Sequence, residues 1–159
     1  MVSEIQTCGY EGLSIDELVE RLIAAGTKTV IDVRANPLSR KPGFSKNALA
    51  KNLEAAGIAY LHAPKMGCPK PIRDRYKFDR DWTAYTKGFL AYLSRQDDAV
   101  ALVAAVAVRS KSCLVCFEAD FNFCHRTFVA RAAARLTGIQ VTHLTDQRAI
   151  SDQNILSAA

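Results

Sequence analysis

Eleven residues in the last third of the chain carry a high density of reactive side chains. The segment CFEADFNFCHR, residues 116–126, holds two cysteines, a histidine, an arginine and two acids. It follows a short apolar run and precedes a helix-like stretch. Three interpretations are open: a metal cluster, a reactive thiol beside an anion-binding arginine, or a buried strand end followed by an ordinary helix start.

The reactive thiol is the leading hypothesis. A helix N-terminus offers free N–H groups and partial positive charge, which hold anions and lower the pKa of a thiol. Cys116 or Cys124 would be the nucleophile, His125 the acid–base partner and Arg126 a bidentate anion clamp. Rhodanese-type sulfurtransferases and tyrosine phosphatases share this outline, but Arg126 lies ten residues beyond Cys116 and two beyond Cys124, which departs from their compact loop. The structural alternative is that Cys124 packs inward while His125 and Arg126 pair locally.

Zinc is the weaker hypothesis. The run CLVC has Cys-x-x-Cys spacing, and Cys124 and His125 follow eight residues later. If that run is a strand, however, Cys113 and Cys116 point to opposite faces, and a zinc site of this spacing needs a turn between its thiols. Adjacent cysteine and histidine also rarely bind one ion together. We therefore predict no cofactor, with zinc as the alternative.

The cysteine count and the N-terminus bear on the compartment. The five cysteines are Cys8, Cys68, Cys113, Cys116 and Cys124. Their number is odd and no secretion signal precedes them, so reduced thiols and a cytoplasmic location are expected. Cys8 and Cys113 are predicted to be small apolar core residues. No apolar run approaches the roughly 20 residues of a membrane helix, so no membrane partner is expected.

The elements that must position the reactive residues alternate along the chain. Strands are predicted at 3–10, 28–33, 58–63, 112–117 and 140–144, and helices at 14–26, 45–57, 82–95, 97–109 and 124–138. Residues 64–81 are predicted to be a polar loop, and the tail to add a helical turn. Alternation favours a three-layer α/β sandwich, Rossmann-like or flavodoxin-like, with a mostly parallel sheet of about five strands. A single domain over residues 1–159 is expected from the length.

In such sheets ligands bind outside the carboxyl ends of the strands, and most of the chemically able residues follow predicted strands. The sequence therefore predicts one pocket at that edge. The candidate catalytic residues are Cys116, Cys124, His125, Glu11 and Glu118, the two glutamates serving as general bases or as partners of an arginine. The candidate ligand-binding residues are Tyr10, Arg34, Ser39, Arg40, His62 and Arg126.

Two basic stretches suggest an anionic ligand. Residues 34–46 contain four basic residues and no acid, and residues 65–80 contain six basic residues and two acids. Tyr76, Phe78 and Trp82 interleave with the second stretch, which suits phosphate contact and base stacking. With a net charge of +5, the expected partner is an anionic small molecule, a nucleotide or a nucleic acid. The oligomeric state is not predicted.

Several motifs together resemble one family. GYEG (9–12), DVR (32–34), PLSRKPGFS (37–45), GIAYLHAPKMG (57–67) and CFEADFNFCHR (116–126) resemble the bacterial and archaeal family called domain of unknown function 488. The resemblance runs from about Gly9 to Leu144 and implies an α/β fold and a cytoplasmic protein, but no particular activity. It carries over onto Tyr10, Glu11, Arg34, Pro37, Ser39, Arg40, Phe44, Ser45, Tyr60, His62, Gly67, Cys116, Glu118, Cys124, His125 and Arg126. The proline-rich and charged stretch after Gly67 departs from the family pattern.

The predicted function is thus that of a cytoplasmic protein with a phosphate- or nucleotide-type pocket, acting as a thiol-dependent hydrolase or transferase. The alternative is a non-catalytic nucleic-acid-binding or regulatory module. In that alternative the basic stretches matter and the thiols do not.

Overall fold

The computed structural model describes residues 2–146 and 148–153. The strands in these ranges are β1 (Glu4–Gly9), β2 (Thr29–Asp32), β3 (Ala59–His62), β4 (Ser112–Cys116), β5 (Gln140–Leu144) and β6 (Ala149–Ser151). The α-helices are α1 (Ile15–Ala24), α2 (Lys46–Ala55), α3 (Lys70–Asp79), α4 (Trp82–Leu93), α5 (Asp97–Arg109) and α6 (His125–Thr137). No helix in the described ranges is long and apolar enough to cross a membrane.

The strands form one sheet in the order β3-β2-β4-β1-β5-β6. The first five strands run parallel to their neighbours, and β6 runs antiparallel to β5. Every residue of β2 and β4 is buried, as expected for parallel strands covered on both faces. The predicted α/β class and mostly parallel sheet are confirmed, although the described sheet has six strands where about five were predicted.

Two apolar layers cover the sheet. One face packs against α4, α5 and α6, through side chains such as Phe89, Val103 and Val129. The opposite face packs against α1 and α2, through side chains such as Leu22 and Leu49. Helices therefore lie on both faces of the sheet, which is the predicted three-layer sandwich.

Alternation along β4 separates its two cysteines. Cys113 packs with the α1–α2 layer, whereas Cys116 packs with the α4–α6 layer. Cys113 and Cys8 are fully buried core residues, as predicted. Because side chains two apart share a face and those three apart do not, a strand cannot offer both thiols of CLVC to one ion.

The prediction of a loop over residues 64–81 is wrong. A 3₁₀ turn spans Pro64–Met66, and α3 begins at Lys70 with a proline in its first turn, where the missing N–H costs nothing. Two ion pairs at i,i+4 spacing support the helix: Lys70 with Asp74 and Arg75 with Asp79. The sequence hid this helix because none of its side chains is fully buried and its apolar side consists mainly of Ile72 and Tyr76, which pack partly buried against the core.

The predicted helical turn in the tail is also wrong where the structure describes it. Residues 149–151 form β6, which adds to the edge of the sheet beside β5. Residues 154–159 of the tail lie outside the described residues.

Two serines that precede helices behave differently. Ser14 closes a capping box on α1, since its hydroxyl accepts from Glu17 N at 3.1 Å and Glu17 Oε1 accepts from Ser14 N at 2.9 Å. Ser45 precedes α2 but does not cap it with its side chain. Its hydroxyl instead donates to the Ser39 carbonyl and accepts from Ser39 N, both at 3.0 Å, which folds the loop after β2.

Candidate active site

A cavity of about 490 Å³ opens at the carboxyl edge of the sheet, beyond β1, β2 and β4. Its walls come from the segments that follow these strands and from α3 and α4. The lining residues are Tyr10, Arg34, Ala35, Asn36, Leu38, Ser39, Cys68, Arg73, Tyr76, Lys77, Arg80, Tyr85, Cys116, Phe117, Glu118 and His125.

The predicted site residues fall into three groups. Those that line the cavity are Tyr10, Arg34, Ser39, Cys116, Glu118 and His125. Cys124 and Arg126 are buried beside the Cys116 sulfur. The remaining three, Glu11, Arg40 and His62, are not among the lining residues. Arg40 is exposed, Glu11 accepts a hydrogen bond from Ala119 N at 3.0 Å, and the His62 Nε2 lies 2.8 Å from the Arg34 carbonyl.

The two cysteines of the 116–126 segment lie side by side. The sulfurs of Cys116 and Cys124 are in contact, whereas Cys8, Cys68 and Cys113 are free and buried. The Cα atoms of the pair are 7.9 Å apart, beyond the roughly 7 Å that a disulfide spans without movement of the backbone, so the expectation of reduced thiols stays a prediction. The contact follows from the path of the intervening loop, in which a 3₁₀ turn at Phe121–Phe123 brings the start of α6 back beside the end of β4.

Arg126 is buried against this sulfur pair. Only 1% of its surface is exposed, and its Nη1 donates to Cys116 Sγ at 3.4 Å and to the Glu118 carbonyl at 2.5 Å. No carboxylate in the described part of the chain forms an ion pair with it, and its Nε has no hydrogen-bond partner there. Burial lowers the pKa of Arg126, because water no longer solvates its charge. The guanidinium therefore has no carboxylate in direct contact among the described residues, although the charges of Glu118 and Asp120 favour its charged form from further away.

His125 presents one defined ring nitrogen to the thiols. Its Nε2 lies 2.7 Å from the Val33 carbonyl, which only accepts, so Nε2 carries the proton. The unprotonated Nδ1 then lies 3.9 Å from Cys124 Sγ. Burial lowers the pKa of His125 to about 4, so the ring is neutral at pH 7 and Nδ1 is available as a base.

Arg34, in contrast, already has its counter-ion. Its Nε and Nη2 donate to the two carboxylate oxygens of Asp32, each at 2.8 Å, and its Nη1 donates to Tyr10 Oη and to the Phe44 carbonyl. Both charged groups are buried. Asp32 neutralises Arg34, so this arginine holds the walls of the cavity together and leaves little unbalanced charge for a ligand.

Three other cations face the cavity from α3. Arg73, Lys77 and Arg80 line it, and no ion pair to a carboxylate engages them within the described ranges. The acids of this helix pair with Lys70 and Arg75 instead. Arg73 and Lys77 are four residues apart on α3 and so share one face, a pattern that the interpretation as a loop concealed. Arg80 directly follows the helix, in the left-handed conformation with φ 53°.

Sequence reasoning also missed an aromatic wall and a third thiol. Tyr76 and Tyr85 line the cavity with their rings 5.2 Å apart, and the Arg80 guanidinium lies 5.5 Å from the Tyr76 ring centre. Cys68 also lines the cavity, but burial raises its pKa to about 11. The basic and aromatic composition of residues 65–82 was a signal for the first feature. No signal indicated Cys68 or Tyr85.

The sulfur pair and His125 also bear on metal binding. The ligand atoms of Cys116, Cys124 and His125 lie within 4.8 Å of one another. A divalent ion would need both sulfurs as thiolates, so only the reduced pair could act as ligands. Zinc therefore stays the alternative hypothesis.

A glycine keeps this arrangement compact. A Cβ atom at Gly9, the last residue of β1, would lie 1.7 Å from the Glu118 carbonyl oxygen, which accepts from Arg126. We expect Gly9→Ala to lower the free energy of unfolding by about 3 kcal/mol, because backbone must move, as measured by urea unfolding. Gly88→Ala is the control, since its Cβ would meet the flexible Ile72 side chain no closer than 3.4 Å. Equal stability of the two variants would contradict the expectation.

The fold and the site together define an α/β sandwich with a cysteine pair, a histidine and a buried arginine at the carboxyl edge of a mostly parallel sheet. A family model described as "Domain of unknown function DUF488" matches residues 14–133, and the chain belongs to this family. The match includes the sulfur pair, His125 and Arg126, but it is shorter than the range 9–144 that the sequence resemblance covers. No curated protein and no solved structure gives a match.

Proposed function

We propose that this protein is a cytoplasmic enzyme that uses Cys116 as the nucleophile in hydrolysis or group transfer on a small anionic substrate. The contact between Arg126 and Cys116 Sγ, at the wall of the cavity, carries the proposal. A buried guanidinium without a carboxylate partner favours a thiolate beside it in the reduced protein. That thiolate would also supply an anion in direct contact with Arg126.

The acid–base role falls to His125. Its neutral ring has the lone pair of Nδ1 directed toward Cys124 Sγ, 3.9 Å away. In a covalent mechanism Cys116 would attack the electrophilic centre, and His125 would pass a proton to the leaving group or take one from the group that releases the intermediate. Glu118 lines the same cavity and is the second candidate base.

The anionic character of the substrate is supported by the cations of α3. Arg73, Lys77 and Arg80 face a cavity of about 490 Å³, which lies in the range typical of small-molecule sites. Tyr76 and Tyr85 add flat aromatic surface beside these cations. A phosphate-bearing molecule with a ring, such as a nucleotide, matches this combination of charge, size and surface.

A non-catalytic nucleic-acid-binding module remains the second candidate, favoured by one observation. Phe78 on α3 is 91% exposed, and it lies between Lys77 and Arg80 in the sequence. An exposed aromatic ring between cations suits stacking on a single-stranded base. In that case oligonucleotide affinity should fall steeply with salt, and replacement of the cysteines should not change it.

The enzyme proposal is tested with the reduced protein and Cys116→Ser, with Cys68→Ser as the matched control in the same cavity. Turnover of p-nitrophenyl phosphate and p-nitrophenyl acetate should require a dithiol reductant, be lost in Cys116→Ser and persist in Cys68→Ser. Binding of a nucleoside monophosphate, followed by calorimetry, should persist in both variants. Equal turnover by Cys116→Ser and the parent would overturn the nucleophile assignment.

A further inference from the structure

The two sulfurs of the Cys116–Cys124 pair are not equivalent. Both residues are nearly inaccessible, with 1% and 2% of their surface exposed, but only Cys116 lines the cavity. Cys124 lies behind it, directly before the first residue of α6, and its sulfur is in contact with the Cys116 sulfur. A small electrophile that enters the cavity therefore meets Cys116 first, and Cys124 is already in position to attack the product.

Each sulfur also has its own polar partner. Arg126 Nη1 lies 3.4 Å from Cys116 Sγ, which favours a thiolate there in the reduced protein. His125 Nδ1 lies 3.9 Å from Cys124 Sγ, where it can accept the thiol proton. The cavity thus holds one sulfur suited to attack and a second sulfur suited to resolve the adduct.

Cys68 provides an internal contrast. It lines the same cavity, but its sulfur is directed to the Pro69 carbonyl at 3.7 Å, and the nearby Arg73 donates to the Cys68 carbonyl rather than to the sulfur. Its pKa is raised to about 11 by burial, so it is protonated at neutral pH. Both cysteines are open to the cavity, so what distinguishes Cys116 from Cys68 is the contact of its sulfur with Arg126.

We infer that this protein has a second activity, the two-electron reduction of small hydroperoxides by the Cys116–Cys124 dithiol. The inference rests on Cys116 being the nucleophile of the proposed function, but it requires no anionic substrate. The buried position of the sulfur selects for a small electrophile, and a hydroperoxide needs to present only its terminal oxygen. A Cys116–Cys124 disulfide would be the product of this reaction, and the two sulfurs already lie in contact.

The first step forms a sulfur–oxygen bond. The Cys116 thiolate attacks the terminal oxygen of ROOH and the O–O bond breaks. Its electron pair leaves with RO⁻, which takes a proton from solvent to give ROH. Cys116 is now a sulfenic acid, oxidised by two electrons, and the hydroperoxide is reduced to the alcohol.

The second step forms the disulfide. His125 Nδ1 accepts the proton of Cys124, and the resulting thiolate attacks Cys116 Sγ. The S–O bond breaks, and hydroxide leaves and takes the proton from His125 as water. The sum is two thiols and one hydroperoxide giving one disulfide, one alcohol and one water. A dithiol reductant then restores the thiols by disulfide exchange.

The test uses the full chain, reduced and freed of reductant, with hydrogen peroxide as the probe. We expect one disulfide per peroxide consumed, located at Cys116–Cys124 by peptide mass spectrometry. Cys116 should be oxidised at least roughly tenfold faster than Cys68 in the same molecule. Cys124→Ser should stop at a Cys116 sulfenic acid that dimedone traps.

The outcomes separate this inference from the proposed function. Slow oxidation of Cys116 in the parent, at the rate of Cys68, overturns the inference, and so does a disulfide that forms without dependence on peroxide. If ester turnover still requires Cys116 in that case, the proposed function stands alone. If Cys116 neither reacts with peroxide nor supports turnover, both are overturned. The decisive measurement compares the oxidation rates of Cys116 and Cys68 within the parent protein. It therefore does not depend on whether any variant folds.

Discussion

Asp32→Asn is expected to lower the free energy of unfolding by about 3–5 kcal/mol, the cost typical of breaking a buried ion pair from one side. Asp32 is fully buried and accepts hydrogen bonds from Arg34 N, Nε and Nη2 and from Tyr60 Oη, at 2.6–3.1 Å. Asparagine keeps the shape but removes the charge and places N–H donors opposite the donors of Arg34. The guanidinium would then be a buried cation without a partner.

The electrostatics of this pair point the same way. Burial alone would lower the pKa of Arg34, but the hydrogen bonds and charge of Asp32 outweigh it and raise that pKa. The charge on the buried Arg34 is therefore stabilised mainly by its hydrogen bonds to Asp32 and by the charge of that carboxylate. Because Arg34 also donates to Tyr10 and to the Phe44 carbonyl, the loss would spread to the cavity wall.

Urea unfolding at pH 7 measures the effect, and Asp74→Asn is the matched control. Asp74 pairs with Lys70 at 2.6 Å, but both side chains are largely exposed, at 48% and 75%. Exposed pairs contribute little because water screens them, so the control should lose far less stability. If the two variants lose a similar amount of unfolding free energy, the buried Asp32–Arg34 pair does not have the predicted importance for stability.

Arg126→Gln is expected to slow the alkylation of reduced Cys116 by iodoacetamide roughly tenfold to a hundredfold at pH 7. A cation within about 4–6 Å of an ionisable group favours its charged form by one to three pKa units, and only the thiolate reacts. Glutamine retains donors for the Glu118 and Ala119 carbonyls that Arg126 contacts, but it carries no charge. The loss of rate therefore reports on electrostatics more than on packing.

The control is another arginine that contacts a thiol. Arg21 Nη1 lies 4.0 Å from Cys8 Sγ, in the layer on the opposite face of the sheet. Arg21→Gln should leave the alkylation of Cys116 unchanged, as resolved by peptide mass spectrometry, with circular dichroism to verify the fold of both variants. An unchanged Cys116 rate in Arg126→Gln would remove the principal support for a thiolate nucleophile.

The rule that parallel strands deliver their ends to one edge groups residues that are far apart in the sequence. Tyr10 and Arg34 follow β1 and β2, Cys116 ends β4 and His125 begins the next helix, and these four line one cavity, whereas Glu11, Arg40 and His62 do not. The period of two along β4 was equally informative, because it separated Cys113 from Cys116 without knowledge of the fold. Both inferences depend only on backbone geometry, which strong apolar runs determine.

What the sequence could not predict depends on contacts between segments. The α3 helix has no fully buried side chain and only Ile72 and Tyr76 pack against the core, so its apolar periodicity is weak and its cations were not recognised as one helix face. The contact between the Cys116 and Cys124 sulfurs depends on the path of a seven-residue loop, and a cysteine count carries no information on that path. The sequence also does not show that the Asp32 carboxylate pairs with Arg34 and neutralises its charge.

The loop that carries the sulfur pair is braced from outside the family-matched region. The Phe121 ring stacks on the His143 ring at 3.9 Å, and His143 is held by Thr7 at 2.6 Å and by Asp152 at 2.7 Å. Asp152 follows the short edge strand β6, which supplies nothing to the cavity wall. Proteolysis just before Ala149 would therefore leave every cavity residue in place but remove Asp152, which holds the His143 ring against Phe121. A fragment cut at the family boundaries would lack this support for the loop that carries Cys116 and Cys124, so its thiol reactivity would not represent that of the whole chain.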